Sequence, residues 1–516
     1  MTCDAADLAA FQKDLAGYLR LRASPAPAQN LQAALVTLLQ RMQGWQAALP
    51  AENLTTALAP LTAGAAPEDI LISSFLFAQT GDPAWMARLM ARLEGLEGGP
   101  EDAYRLWLAV EYLLFLAFPN MDRAASQALR LGPLAAFYAR LAAALPPPPP
   151  VPDGADSVLI LTRIFRPPQE YGPAWDALEY AHVARQDMGL SPVIVDCNLL
   201  APTPPLPLWP PSLYHPAPIT DPIPHRSGHI PVARLAWGAG FAGITAQLDK
   251  IVARHRPRFC LAIGDGNLCA DYLAAALPTA VLHYTVDLPI AARAWPCIHE
   301  DRLSAAESAA LKARDLAPIP IAPAFSPPLP SLTQAGPDLT QLAPEAFWVG
   351  VVGHRLHSDV TDDFLAMLEN LMAANAALWV VFVGLFEGYQ QRLAPYPQLV
   401  ARSLFLGRAP DLAAVFDRLQ VFLNPRRPGG GISAGIALGL GVPVLALREG
   451  DVASVAGIDA CFGNWADLSR YLVALSRDAG LLARAQQAAQ DRFAALDNRL
   501  GNLRGIAAAL LDGGAN

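Results

Sequence analysis

Five consecutive prolines at 146–150, with a sixth at 152, divide this chain. Proline fixes φ and carries no N–H, so such a run enters neither a helix interior nor a central strand; it forms a stiff spacer. The two sides differ in texture. Before the run, apolar residues recur at helical spacing: Leu8, Phe11, Leu15 and Leu19, then Leu31, Leu35 and Leu38, then Leu71, Phe75 and Leu76, and later Trp107, Leu108, Tyr112 and Leu116. This predicts an all-helical domain over 1–145 with its aromatic residues in the core and no clean repeat period. The proline-rich linker covers 146–153.

After the linker, short apolar strands alternate with helices. Strands are predicted at 157–161, 192–196, 259–263 and 279–284, with helices at 174–188, 241–256 and 268–276. Strand–helix alternation builds a doubly wound parallel sheet, and ligands bind at the carboxyl ends of its strands. Residues 201–225 are too proline-rich for a plain connection. A second proline-rich stretch at 318–344 reads as an inter-domain crossing, so the first α/β domain is placed at 154–344. A second α/β set follows over 345–516: strand 347–352, helix 361–375, strands 378–384, 404–407 and 419–423, then helices to the end.

Composition supports several packed cores: 516 residues, 53% hydrophobic and only 16% charged. A net charge of −9 argues against a general nucleic-acid binder. The six cysteines are scattered without a CxxC pair, which predicts free thiols in a reducing compartment. The first residues lack the basic-then-apolar layout of a signal peptide, and no run of 18 apolar residues exists. The expectation is a cytoplasmic protein of bacterial type.

The most informative chemistry lies at 421–457. An apolar strand runs into Arg426, Arg427, Gly429, Gly430 and Gly431, then a small-residue helix from about Ser433, then Gly441-Val442-Pro443 and another buried strand. A strand, a glycine-rich turn and a helix start make an anion site, because the first helical turn offers N–H groups and the positive end of the dipole, and glycine permits close backbone approach. Arg355 and His354, just after strand 347–352, add polar groups. Glu449 and Asp451 supply carboxylates from the following loop. These residues are the candidate donor-binding set for a diphosphate.

On the first α/β domain, His283, Asp287 and His182 are candidate catalytic bases. Arg163, Arg166, Glu170 and Tyr171 in loop 162–173, together with the turn Gly264-Asp265-Gly266, are candidates for the acceptor side. No DxD-like or His-rich ligand set is present, so neither metal nor cofactor is expected.

The pieces Gly353-His354-Arg355-Leu356, Leu406-Gly407 before Asp411-Leu412, and NPRRPGGG at 424–431 followed by Gly441-Val442-Pro443-Val444 resemble, in content and order, the C-terminal domain of GT-B glycosyltransferases. With the loop EGDVASV at 449–455 and the helical N-terminus, the chain is most similar to the group of protein O-GlcNAc transferases and bacterial adhesin glucosyltransferases. The resemblance implies a GT-B fold, two Rossmann-like domains facing a cleft, behind an all-helical domain. It implies a metal-independent glycosyltransferase of hexosyltransferase type, taking a sugar from a nucleotide-diphosphate donor to an acceptor that is a protein or glycan. The helical domain would bind that acceptor or mediate homo-oligomerisation. The chain departs from the retaining GT-B pattern in having no acidic residue between Asn424 and Arg448, Ile436 where a ribose-binding carboxylate is expected, and Ser358 where a lysine is common. Two alternatives follow: a non-catalytic sugar-nucleotide-binding scaffold, or a GT-B-fold nucleotide-sugar epimerase.

Overall fold

The structure is a computed structural model. It describes the chain apart from residues 1–4, 23–27, 49–52, 54, 59–65, 95–98, 152–155, 167–171, 200–207, 209–220, 238–239, 284–286, 300–302, 315–317, 326–336, 338–342, 344, 410 and 513–516. Two compact units emerge. The first comprises residues 1–321 and 499–516, the second residues 322–498.

The segment before the prolines is helical, with Ala5–Arg22, Ala28–Ala48, Ala66–Thr80, Pro83–Glu94 and Pro100–Ala117 as its longer members. Its last stretch runs from Arg123–Leu129 through a π turn, Arg130–Leu134, into Ala135–Ala143. Pro133 sits inside that turn and has no N–H to give, which accounts for the widening. Beside it, the carbonyl of Leu134 accepts a hydrogen bond from Trp107 Nε1 at 2.8 Å. Residues 146–150 take no regular secondary structure.

The α/β part of the first unit contains strands β1 (Ser157–Thr162), β2 (Ser191–Asp196), β3 (Ile223–His225), β4 (Gly228–Ile230), β5 (Val232–Arg234), β6 (Phe259–Ile263), β7 (Thr279–Leu282), β8 (Trp295–Ile298) and β9 (Ile319–Pro320). β3 and β4 form a separate antiparallel hairpin. The others make one parallel sheet in the order β5-β2-β1-β6-β7-β8-β9. Side chains alternate across it as a strand's period of two requires. Leu159, Leu161, Val195, Cys260 and Ala262 face one core, while Val158, Ile160, Ile194, Leu261 and Ile263 face the other.

The first of these cores is continuous with the helical segment: Trp107, Leu113, Phe137 and Tyr138 belong to the same buried cluster as the sheet residues. The predicted all-helical domain 1–145 therefore shares its core with the first sheet. Those helices cover one face of the first sheet, because apolar strand residues on that face need a partner layer. A further difference concerns the C-terminus. The helix Arg499–Asp512 returns to the first unit, where Leu503, Ile506 and Leu510 pack on the opposite face of the sheet. Arg499 pairs there with Asp176 at 2.7 Å. The boundary between units falls after Ile321, not at 344.

The second unit contains β10 (Phe347–Gly353), β11 (Leu378–Gly384), β12 (Ser403–Gly407), β13 (Val421–Leu423) and β14 (Val444–Leu445), all parallel, in the order β12-β11-β10-β13-β14. Its two faces again carry separate apolar cores. Both sheets share the 3-2-1-4-5 Rossmann order, counted along the sheet strands. Each reverses direction of winding at one place, β1/β6 in the first and β10/β13 in the second, where ligands bind at carboxyl ends. Every strand predicted from sequence is present. The hairpin and strands β5, β8 and β9 were not predicted: each is only two to four residues long, too short for periodicity to register. Most of 201–225 lies outside the described residues.

Candidate functional site

In the second unit, β10 and β11 each end in a glycine. Gly353 and Gly384 are register partners at the ends of β10 and β11. A Cβ on Gly384 would stand 1.8 Å from the Gly353 carbonyl oxygen, so only glycine fits. After β13 the chain forms the loop predicted from sequence and enters the helix Gly431–Gly439. Gly430, the residue before the helix, has φ +112°, a region that disfavours L side chains. Its N-cap residue, a glycine, brings no side chain to the N–H groups of the first turn, which point out along the axis. Gly429, Gly430 and Ser433 are half-buried at this end.

The arginines have distinct positions. Arg427 is buried, 4% exposed. Its Nε donates to Asn424 Oδ1 at 2.8 Å and its Nη2 to the Val352 carbonyl at 2.7 Å, and Nη1 lies 3.5 Å from Asp359 Oδ2. It thus ties the loop after β13 to the end of β10. A Cβ on Gly353 or Gly430 would come within 2.3 or 2.8 Å of its guanidinium, so both glycines make room for it. Burial lowers the Arg427 pKa, with Asp359 opposing and Arg355 adding to that effect. The Arg427 side chain is enclosed beneath the loop. Arg355, at the end of β10, lies 3.4 Å from the other oxygen of Asp359 and retains partial exposure. His354 beside it is exposed. Arg426 Nε donates to Glu449 Oε2 at 2.9 Å. Asp451 is buried in the first turn of the helix Gly450–Ala456, and its N–H donates to the Pro428 carbonyl at 2.8 Å, fastening this helix to the loop. The structure therefore gathers Arg355, Arg426, Arg427, Gly429, Gly430, Gly431, Glu449 and Asp451 around one helix start.

In the first unit, the ends of β1, β6 and β7 bring Arg163, Asp265 and His283 together. Asp265 has no exposed surface. Its Oδ2 accepts from Arg130 Nη2 at 2.5 Å and from the Ile290 N–H at 2.8 Å. His283 Nε2 is 3.0 Å from Oδ1, with Arg163 Nη1 3.9 Å away. Arg163 Nη2 donates to Glu111 Oε2 at 3.1 Å. Burial alone would raise the Asp265 pKa, but His283, Arg130 and Arg163 outweigh it and hold the carboxyl well below the usual range. Glu111, Asp265 and His283 each turn one possible ligand atom toward a common region. Arg163, bonded to one carboxylate and near the other, already supplies positive charge there.

The turn around Asp265 is packed from above. Gly264 N–H donates to the Leu282 carbonyl and Gly266 N–H to the Ile290 carbonyl. Tyr104 donates its hydroxyl to the Gly266 carbonyl at 2.6 Å, and a Cβ on Gly266 would sit 2.0 Å from the Trp107 ring. The N–H groups of Gly264 and Gly266 are thus taken up within the fold. Asp287 lines a small recess with Arg123, Gln127, Arg130 and Glu307. His182 is not brought to this cluster. It lies mid-helix in Gly172–Asp187 with its ring 5.5 Å from that of His225 on β3, and burial and Arg226 lower its pKa. Arg166 follows β1 half-buried, and Glu170 and Tyr171 lie outside the described residues.

Sequence reasoning missed Arg130, Glu111, Asn424 and Asp359. The available signal for the first two was a charge interrupting an apolar helical stripe, Glu111 beside Tyr112 and Arg130 beside Leu131.

No family profile and no curated protein matches the sequence. Solved structures do. An O-GlcNAc transferase mutant from Thermobaculum terrenum aligns over 100% of both chains with a TM-score of 0.51 at 14% identity. The fold is GT-B. A UDP-forming α,α-trehalose-phosphate synthase from Burkholderia vietnamiensis covers 69% of this chain and 99% of its own (TM-score 0.47, 14% identity). The Anabaena protein HepE in complex with UDP covers 69% and 100% (0.47, 16%). At 14% identity the first of these likenesses speaks for fold alone. In GT-B terms, the first unit is the N-terminal Rossmann domain with its helical layer, and the second is the C-terminal one.

Proposed function

We propose that this protein is a glycosyltransferase that moves a sugar from a nucleoside-diphosphate donor to an acceptor. The observation that carries this reading is the uncapped helix start at Gly431, entered through a left-handed glycine at the carboxyl end of β13. As the sugar leaves, negative charge grows on the diphosphate. Fixed N–H groups at that helix start, with Arg355 and Arg426 beside them, stabilise it without reorganising. Among the candidate bases His283 is the best placed, because the buried ionised Asp265 faces its Nε2 and fixes the ring. Metal-free chemistry, a protein or glycan acceptor, self-association, a cytoplasmic location and a bacterial source are parts of the same reading. No described helix is long and apolar enough to cross a membrane.

A thermal-shift panel of nucleoside diphosphates and their sugars tests it. At least one uridine or guanosine diphosphate ligand should raise the Tm, and the matching nucleotide sugar should be slowly hydrolysed without acceptor. No shift with any nucleotide defeats the proposal. The lack of any carboxylate from Asn424 to Arg448 favours a second reading, a binding protein that does not turn over its ligand. A clear shift without hydrolysis, and without transfer to any acceptor in a cell extract, selects it. Conversion of the sugar to an epimer instead selects an isomerase.

A further inference from the structure

The segment 355–360 holds a carboxylate between two guanidinium groups. Asp359 is 3% exposed. One of its oxygens lies 3.5 Å from Arg427 Nη1 and the other 3.4 Å from Arg355 Nη2. The carboxylate cannot drift, because its backbone is pinned from both sides. Asp359 N–H donates to the Arg355 carbonyl at 2.8 Å, and Arg392 donates to the carbonyls of His357 and Val360 at 3.3 and 2.9 Å. The two arginines differ in exposure. Arg427 is enclosed and bonded to Asn424 and Val352 as well, whereas 23% of the Arg355 side chain is exposed and its bond to Asp359 is long.

We infer that Asp359 is a positioning residue for diphosphate recognition, fixing Arg427 as the brace under the glycine loop and keeping Arg355 poised to exchange the carboxylate for a phosphate. The inference rests on the donor-binding reading above. Two like charges side by side repel, and a shared carboxylate is what lets both stay at one helix start. The trio of Arg355, Arg427 and Asp359 keeps one net positive charge. An arriving diphosphate offers Arg355 a shorter, charge-assisted partner, while Arg427 remains bonded.

The sign of the effect separates this from simple electrostatics. Asp359→Asn removes a negative charge from beside the site, so charge alone predicts tighter anion binding. Positioning predicts the opposite. Ligand-detected NMR titrations of the full chain with UDP and with uridine, repeated with GDP and guanosine, measure both. For Asp359→Asn we expect the diphosphate that binds wild type to weaken about tenfold or more, and its nucleoside to change less than about twofold. Asp359→Glu should recover part of the loss. Diphosphate binding that is unchanged or tighter in Asp359→Asn overturns the inference. So does an equal loss of nucleoside and diphosphate, which marks Asp359 as a support of the pocket's fold only. If wild type binds neither UDP nor GDP, the donor reading itself fails, and the inference falls with it. That outcome shows in the wild-type titration alone.

Discussion

The two sheets have the same strand order over their first five members, and each carries a glycine turn at the carboxyl end of the strand that follows the reversal of winding. What happens to the backbone N–H groups there differs. After β6, Gly264 and Gly266 donate to Leu282 and Ile290, and Trp107 lies on the turn. After β13, the turn opens into a helix whose N-cap glycine brings no side chain to its N–H groups. The same local sequence signal therefore yields a filled, load-carrying junction in one unit and open donors in the other. The helical segment makes the difference, since it seals the first junction and adds Arg130 and Glu111 to it. A glycine turn marks an anion site only when its N–H groups are left over after the fold has taken its share.

The largest effect should come from unsealing the first junction. Trp107 has no exposed surface and packs on Tyr138 and Gly266. Trp107→Ala should cost about 3–5 kcal/mol in urea unfolding. A chain beginning at residue 146 should fail to fold, because one face of the first sheet loses its cover. A stable, well-folded truncation breaks the comparison.

Asp265 comes next. Removing it leaves Arg130 buried without its carboxylate, and Asp265→Ala should cost about 3–5 kcal/mol. Its folded pKa lies below the unfolded value of about 4. The stability it contributes is therefore complete above about pH 4 and is lost as pH falls from there through the lower folded value. Asp265→Asn should flatten the acid branch of the stability curve below about pH 4, read by denaturant midpoints across pH.

The second junction should respond in binding more than in stability. Gly430→Ala places a Cβ at positive φ and against the Arg427 guanidinium. The strain is about 1–3 kcal/mol, and UDP or GDP affinity should fall about tenfold or more by calorimetry. Ser433→Ala should do least. Loss of one neutral hydrogen bond is about 1 kcal/mol, a few-fold in affinity with an unchanged Tm.

Much of the fold could be read from the sequence because its signals are local. The proline run, the strand-length apolar stretches and the turn at 424–431 each declare themselves within a dozen residues. What escaped depends on contacts distant in sequence. The proline run did mark the end of the helices, yet Trp107 reaches Gly266 and Arg130 reaches Asp265 across it, so a break in the chain was not a break in the core. The return of Arg499 to Asp176 spans the whole second unit and leaves no local trace. Around the loop 424–431, sequence did not show how deep each side chain lies. A composition such as Pro-Arg-Arg-Pro reads as a surface turn, while Gly353 and Gly430 create the space that lets Arg427 go inside. Asp359 looked like one more acidic residue near a helix start.

The central claim is that the open donors belong to the second unit alone. Amide hydrogen exchange of the full chain, with and without saturating UDP or GDP, tests it most directly. The account predicts new protection concentrated at 424–434 and 449–456, with the turn at 264–266 already protected before ligand is added and unchanged after. Protection appearing at 264–266 with none at 424–434 would contradict it.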